Sequence, residues 1–445
     1  MPEHADIDLI LEPGWLLPIA PVNEVLAGYS LAIDQGRILA LGPSDQVQAN
    51  WRAREHLRLP DHVVLPGLVN AHGHAAMSLL RGLGEGLPLQ RWLEEVIWPV
   101  EGRWASEAFI QDGTQLAMAE MVRTGTTCFS DMYFFPEASA RAAQLAGMRA
   151  QILFPLIQFP NPWSRDISEG LDKGLRLHDQ YRDDPLLRIG FGPHAPYTVP
   201  DADLQRILTL ADELDLQIQT HLHETAGEVD QARQQTGLSH IERFADLGLL
   251  VPRLQAVHMT QINERELSLV AETGVSVIHC PQSNLKLASG FCPVPELLAA
   301  GVRVGLGTDG AASNDSLDMF TEMRFASLLA KARSGDPAQL TALQMVETAT
   351  LGGARALDLA DRIGSLEPGK EADLIAVDLG GVASQPVYAP QAQLVHTNAG
   401  SLVSHVWVAG RALLTNGQLQ TLDSTAINRR ARNWGRQIQA GLDEG

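Results

Sequence analysis

The 445-residue sequence is poor in cysteine, in aromatic residues and in long apolar runs. Its three cysteines include no Cys-x-x-Cys pair and cannot form a disulfide framework, which favours a reducing, cytoplasmic location. No apolar run approaches the ~18–20 residues that span a bilayer. The first residues lack the basic and apolar stretches of a signal peptide. A net charge of −20 argues against nucleic-acid binding.

Strand-like segments occur at both ends of the chain. Residues 29–41 and 405–414 each have the pattern of a hairpin, with turns at Asp-Gln-Gly and Ala-Gly. These ends predict one small β-sandwich built from residues 1–62 and 365–423. Residues 424–445 predict an amphipathic helix that packs on the body of the protein or on a partner subunit, so a homo-oligomer remains open.

The central residues, 63–364, alternate apolar strand-like runs with amphipathic helical segments. Eight such units predict an α/β fold, a (β/α)8 barrel, with a doubly wound open sheet as the alternative. In a barrel the C-terminal ends of the strands meet around one pocket. Histidine or aspartate stands at many of these predicted strand ends, namely His72, His74, His194, His221, His258, His279 and Asp309.

The tripeptide His72-Gly73-His74 follows the apolar run 63–69. Alternate residues of a strand point to the same face, so both imidazoles can reach one metal ion. Together with His221 and Asp309 they provide three imidazoles and one carboxylate. Such a set, with one open position for water, predicts a catalytic metal site. The ligands suit zinc, and iron, manganese and cobalt remain open.

Three segments, 66–74, 221–224 and 307–310, resemble the amidohydrolase superfamily, and the resemblance extends over the whole chain. Segments 92–101, 193–197 and 279–287 are most similar to those of the 5′-methylthioadenosine/S-adenosylhomocysteine deaminases. Many two-metal members of the superfamily bridge their ions with a carboxylated lysine at the end of strand four. The only lysines of this chain are Lys173, Lys286, Lys331 and Lys370, and none stands there. We therefore expect one divalent metal ion.

The resemblance implies hydrolytic deamination of 5′-methylthioadenosine and/or S-adenosylhomocysteine to the inosyl product and ammonia. In that reaction Glu224 would pass a proton to ring atom N1, Asp309 would act as ligand and base, and His258 would orient the attacking water. The implied substrate-contacting residues are Glu101 (for the ribose diol), His194, Trp92, Ser313, Glu224 and Asp309.

Other functions remain open at this stage. One alternative is a deaminase or chlorohydrolase that acts on a free purine or triazine ring, and a second is a metal-binding scaffold protein. The role of His279 is open. Segment 154–165 is apolar, with Arg165 as its one cation. This composition predicts a preference for the methylthio group over the zwitterionic homocysteine tail.

Overall fold

The structure, a computed structural model, describes residues 5–443. Residues 1–4 and 444–445, which belong to the predicted segments 1–62 and 424–445, lie outside the described residues. The chain divides into two compact units. The first comprises the residues up to 69 together with 120–128 and 318–421, and the second comprises 70–119, 129–317 and the residues from 422 onward. The domain boundaries given above stay a prediction.

The strands are numbered in chain order. They are β1 Ala5–Leu16, β2 Leu26–Ala27, β3 Tyr29–Asp34, β4 Arg37–Pro43, β5 Trp51–Pro66, β6 Leu68–Asn70, β7 Thr126–Met132, β8 Arg149–Leu156, β9 Leu187–Pro193, β10 Ile218–Leu222, β11 Leu254–His258, β12 Ser276–His279, β13 Arg303–Leu306, β14 Leu374–Asp378, β15 Val403–Val408, β16 Arg411–Thr415 and β17 Gln418–Leu419.

The helical segments, which include short 3-10 and π-helical turns, connect these strands. They are Ser44–Asn50, Ala75–Leu80, Leu89–Trp92, Leu93–Ile97, Trp98–Trp104, Glu107–Arg123, Pro136–Ala146, Ile167–Tyr181, Asp201–Leu214, Ala226–Thr236, His240–Asp246, Glu264–Thr273, Pro281–Lys286, Val294–Ala299, Ala311–Asn314, Met319–Ser334, Ala342–Glu347, Thr348–Gly352, Gly353–Ala356, Pro390–His396, Ala399–Leu402 and Ser424–Asp443. Of the helices within residues 5–443, none has the length and apolar character needed to cross a membrane.

Strands β6 to β13 lie side by side, in chain order, in one eight-stranded sheet. The registered pairs from β8 to β13 are parallel. Every residue of β8, β10 and β11 is buried, as expected for parallel strands covered on both faces. The Ala71 amide donates to the Leu306 carbonyl at 2.9 Å and brings the two sheet edges together. The predicted (β/α)8 barrel is therefore confirmed.

The strands of both chain ends join in one nine-stranded mixed sheet, as the sequence predicts. Its order is β17-β16-β15-β14-β5-β1-β3-β4, with β2 paired to β1. Successive side chains of a strand point to opposite faces of the sheet. Leu9 and Leu11 of β1 belong to a core with Leu374 and Trp407, whereas Ile10 packs in a second cluster.

The C-terminal helix, Ser424–Asp443, packs on its own chain. Ile427 and Ile438 are buried, and the Trp434 indole donates to Asp112 Oδ2 at 2.9 Å. The helix thus covers its apolar stripe against helix Glu107–Arg123 of the same subunit. Homo-oligomerisation stays a prediction.

Candidate active site

A cavity of about 290 Å³ lies within the second unit, where the barrel strands end. Nine of the predicted site residues line it, namely His74, Trp92, Glu101, His194, His221, Glu224, His258, Asp309 and Ser313. His72 lies directly beneath, fully buried. The fold therefore brings together side chains that are up to 241 positions apart in the sequence, from His72 to Ser313.

Four imidazoles share one hydrogen-bonding pattern, in which the Nδ1 atom contacts an oxygen. The pairs are His72 with Gln219 Oε1 at 2.6 Å, His74 with the Met132 carbonyl at 2.6 Å, His221 with the His194 carbonyl at 2.7 Å, and His258 with Asn284 Oδ1 at 2.9 Å. A carbonyl oxygen can only accept, so each Nδ1 carries the proton. This pattern leaves each Nε2 lone pair available, as in histidines that bind metals.

The Nε2 atoms converge beside Asp309. His72 Nε2 lies 3.3 Å from His221 Nε2 and 3.5 Å from Asp309 Oδ1, and His74 Nε2 lies 3.2 Å from that oxygen. Within residues 5–443, two groups have ligand atoms close enough to hold one metal ion: His72 with His74 and Asp309, and His72 with His221 and His258. Nitrogen lone pairs this close, next to a carboxylate, form a fitting site for a divalent cation.

The electrostatics of the cluster also suit a cation. Burial lowers the pKa values of His72, His221 and His258, so these imidazoles are neutral, which is the form that binds metal. Burial alone would raise the pKa of Asp309, but the adjoining rings of His72 and His74 hold that pKa well below the usual range. For His74, the bond and charge of Asp309 outweigh burial and raise the pKa to about 9. A metal ion bound here would take the place of that proton.

Two serine hydroxyls fix the orientation of the Asp309 carboxylate. Its Oδ2 atom accepts hydrogen bonds from Ser283 Oγ at 2.6 Å and Ser313 Oγ at 2.9 Å, which leaves Oδ1 facing the imidazoles. Its backbone is left-handed, with a φ of 60°, a conformation that costs a non-glycine residue on the order of 1 kcal/mol. Gly307, just past β13, allows the close approach because a Cβ there would lie 2.9 Å from His72 backbone atoms.

Glu224 lies between β10 and the next helix, at the cavity wall. Thr225 caps that helix by accepting a bond from the Glu228 amide, and Glu228 Oε2 accepts the Glu224 amide at 2.8 Å. Burial, reinforced by the negative charge of Asp309, raises the pKa of Glu224 to about 8. Its Oε2 atom lies 3.7 Å from His258 Nε2. The segment thus presents a carboxyl group that can carry a proton at neutral pH.

Glu101 lies on helix Trp98–Trp104, at another part of the wall. Tyr133 donates its hydroxyl to Glu101 Oε1 at 2.6 Å, which leaves Oε2 to accept bonds from a ligand. Burial raises the pKa of Glu101 to about 7, although the Tyr133 bond opposes this shift. Trp92 is 5% exposed and donates to the Leu83 carbonyl, so its indole helps to hold the wall in place.

His279 and Arg165, the histidine and the cation without an assigned role, do not line the cavity. His279 is buried at the end of β12, and burial lowers its pKa to about 3. The Arg165 side chain is 83% exposed and is paired with Glu169 at 2.9 Å.

No sequence pattern given above singles out the side chains that orient the site, which are Gln219, Ser283, Asn284 and Tyr133. A signal was available for three of them. Gln219 stands two positions before His221 on the same strand and therefore shares its face. Ser283 and Asn284 fall within the segment 279–287. Tyr133 follows β7 with no distinguishing pattern, and only the packing places it against Glu101.

Gln219→Leu is expected to weaken binding of a divalent metal ion, with zinc as the probe, about 10- to 100-fold, because His72 loses the partner that fixes its ring and tautomer. The measurement is a competition titration of the purified protein with a zinc chelator. Gln151→Leu is the matched control, since Gln151 belongs to the same buried amide network but contacts Gln255 and Ser130 rather than His72. Equal losses of affinity in both variants would contradict a specific role for Gln219.

The fold and this constellation of side chains define a class. The chain belongs to the amidohydrolase family, whose family model matches residues 63–413. Within that family it is similar over its whole length to the "5-methylthioadenosine/S-adenosylhomocysteine deaminase" of Teredinibacter turnerae. The two are 49% identical over 440 residues, which cover 99% of this chain and 100% of the relative. The sequence-based family prediction is therefore confirmed.

Solved structures agree with this assignment. An adenosine deaminase from Xanthomonas campestris with bound zinc is 45% identical, has a TM-score of 0.97, and matches over 98% of this chain and 100% of its own. An atrazine chlorohydrolase from Arthrobacter aurescens in complex with zinc matches with a TM-score of 0.89, over 96% of this chain and 100% of its own. Its identity of 22% is evidence of the common fold alone.

Proposed function

We propose that this protein is a mononuclear zinc hydrolase that deaminates adenosine-type nucleosides with a modified 5′ position. Its products would be the corresponding inosine nucleoside and ammonia. The observation that carries the proposal is the convergence of four imidazole Nε2 atoms and Asp309 beside the protonatable carboxyl of Glu224. The full-length similarity to curated deaminases and to a zinc-containing adenosine deaminase supports the choice of substrate and metal.

His72, His74, His221 and Asp309 would hold the metal. A zinc ion at such a site supplies Lewis acidity and lowers the pKa of a water from 15.7 towards about 7. The remaining chemistry belongs to side chains. Asp309 accepts a proton from the water that attacks C6 of the adenine ring, while the carboxyl of Glu224 donates a proton to N1.

The second half of the reaction breaks the C6–N bond. The proton taken up by Asp309 passes to the amino group, which leaves as ammonia. The C6 hydroxyl returns a proton to the Glu224 carboxylate, and C6 becomes the carbonyl carbon of the hypoxanthine ring. His258, fixed by Asn284 and facing Glu224, orients the attacking water. Ser283 and Ser313 keep Asp309 oriented throughout.

The sugar is the second recognition element. Glu101 would accept hydrogen bonds from the ribose diol through Oε2, because Oε1 is occupied by Tyr133. His194 would contact the nucleoside, since it lines the cavity and burial lowers its pKa to about 4, which keeps the ring neutral. Trp92 and Ser313 would act at the same wall, Trp92 by packing and Ser313 through Asp309.

Ultraviolet spectroscopy tests the proposal directly, because conversion of an adenine into a hypoxanthine changes the absorption spectrum. Zinc-loaded protein is expected to change the spectra of 5′-methylthioadenosine and adenosine and to leave guanine and atrazine unchanged. Removing the metal with a chelator should abolish turnover, and adding zinc back should restore it. Turnover of guanine or atrazine in place of the nucleosides would overturn the proposal.

Tyr133→Phe tests how Glu101 is positioned. The variant removes one hydrogen bond to a buried carboxylate, so KM for nucleosides should rise about 10-fold while kcat changes little. Steady-state kinetics with adenosine measures both constants, and Tyr197→Phe provides a matched hydroxyl deletion at the cavity wall, away from Glu101. A loss confined to kcat would exclude a role in sugar binding.

A further inference from the structure

One wall of the cavity is largely apolar. It is formed by aromatic, aliphatic and proline side chains, namely Trp98, Phe134, Ile157, Phe159, Pro160 and Pro162. The rings of Trp98 and Phe159 meet edge to face with centroids 6.5 Å apart. These two residues come from different segments of the chain, so their contact joins the 89–104 helical segment to the loop after β8.

Exposure orders the cavity by depth. The group around His72 is buried at the floor, and Glu101 is 8% exposed. Trp98 and Phe159 are 37% and 43% exposed, which places them at the mouth. Trp98 stands three positions before Glu101 on one helix, and residues at that spacing are neighbours on the helix surface. The apolar wall therefore begins next to Glu101 and extends outward.

The parts of a bound nucleoside (base, ribose and 5′ substituent) would follow one another from the floor of the cavity to its mouth. If its base reaches the floor and its diol reaches Glu101, as in the proposed function, the 5′ carbon of the same sugar must point towards Trp98 and Phe159. The two substrates in the name of the Teredinibacter relative differ at this carbon. One carries a methylthio group, and the other carries a thioether chain that ends in an ammonium and a carboxylate.

The charges of the wall distinguish these tails. Among the described residues that line the cavity, the charged side chains other than histidine are Glu101, Glu224 and Asp309, and neither lysine nor arginine is present. Two cations on flanking segments are paired elsewhere, Arg165 with Glu169 and Lys286 with Asp315. A carboxylate on this wall would lose water without gaining a cationic partner, which is unfavourable.

We infer that Trp98, Ile157 and Phe159 form a subsite for uncharged apolar 5′ substituents, which admits methylthio and longer alkylthio groups and disfavours the zwitterionic homocysteine tail. The inference rests on the proposed function, because that function orients the nucleoside. Burial of an uncharged apolar 5′ substituent favours the methylthio compound. The homocysteinyl compound is disfavoured because its carboxylate finds no cationic partner on this wall.

The test compares kcat/KM of the zinc-loaded protein for four compounds: adenosine, 5′-methylthioadenosine, 5′-butylthioadenosine and S-adenosylhomocysteine. We expect 5′-methylthioadenosine to exceed S-adenosylhomocysteine about 30-fold, with the butylthio compound close to the methylthio one. Because the butylthio and homocysteinyl tails have similar lengths, this pair separates charge from size.

Each outcome has a definite meaning. S-adenosylhomocysteine within threefold of 5′-methylthioadenosine, or above it, overturns the subsite and leaves the deaminase function intact. A butylthio compound as poor as S-adenosylhomocysteine also overturns it, because size would then decide. If none of the four nucleosides is deaminated, the proposed function itself fails.

Variants at two positions sharpen the test. Phe159→Arg places a cation on the wall and should raise the relative kcat/KM for S-adenosylhomocysteine about 10-fold, whereas Phe159→Leu, the matched control, should not. Arg165→Ala should leave the activity with S-adenosylhomocysteine unchanged. A selective loss of that activity in Arg165→Ala would show that Arg165 reaches the tail and would overturn the inference.

Discussion

Replacing Glu224 with glutamine is expected to lower kcat for nucleoside deamination about 10³-fold, because a positioned acid or base typically contributes 10²–10⁴-fold. Glutamine has nearly the same volume as glutamate, so the wall of the cavity should keep its shape. It cannot donate a carboxyl proton to N1 of the ring. Burial, which raises the pKa of Glu224 to about 8, is the feature that fits it to this role.

The measurement combines kinetics with metal analysis. Zinc content and thermal stability of Glu224→Gln should equal those of the parent protein, since Glu224 belongs to neither group that could hold the metal. Glu228→Gln is the matched control, because Glu228 holds the same segment through the Glu224 amide and does not line the cavity. Glu224→Gln activity above a tenth of the parent value would contradict the proton-transfer role.

Glu101→Gln is expected to lower kcat/KM for adenosine and 5′-methylthioadenosine about 10³-fold, since two hydrogen bonds to a charged group contribute roughly 3–6 kcal/mol. The structure explains why glutamine is a poor replacement. Tyr133 occupies Oε1 by donation, so the amide oxygen of glutamine would stay with Tyr133. Its NH₂ group would then face the diol and could not accept the two hydroxyl protons.

This variant separates nucleosides from free rings as substrates. An enzyme that acts on a free purine or triazine ring has no diol to bind, and Glu101→Gln should then matter little. Steady-state kinetics of Glu101→Gln, with adenosine as the reference compound, distinguishes an enzyme for nucleosides from an enzyme for free rings. Glu95→Gln, an exposed carboxylate paired with Arg91 outside the cavity wall, is the matched control and should behave like the parent.

The histidine and aspartate positions could be predicted from the sequence because strand ends of a barrel converge. His72 and His74 follow an apolar run, His221 lies near the end of β10 and Asp309 lies just after β13, so the topology alone brings them together. Glu224 was predicted from its place next to His221 within a family motif. These predictions need only local patterns and the direction of parallel strands.

The roles of the side chains that orient the metal-site residues could not be assigned from the sequence, even where a signal marked their positions. Gln219 and Asn284 select the tautomer of a histidine, and Ser283 orients Asp309. Gln219 acts from β10, whereas Ser283 and Asn284 are neighbours on the helix Pro281–Lys286. A glutamine or a serine is common in any sequence, so its role depends on which atom it meets in the fold. The same holds for Tyr133, whose hydroxyl decides which oxygen of Glu101 is available.

Periodicity and strand direction, which are local or topological properties, were enough to predict the barrel and the contribution of both chain ends to one sheet. Motif resemblance supplied the family and the roles of the first candidates. The packed structure was needed to show which imidazole nitrogen carries the lone pair, why Glu224 can hold a proton, and that the cavity wall lacks a cation in the described residues. The physical reason is that protonation, desolvation and charge pairing depend on distances between side chains far apart in the chain, and only the packed fold sets those distances.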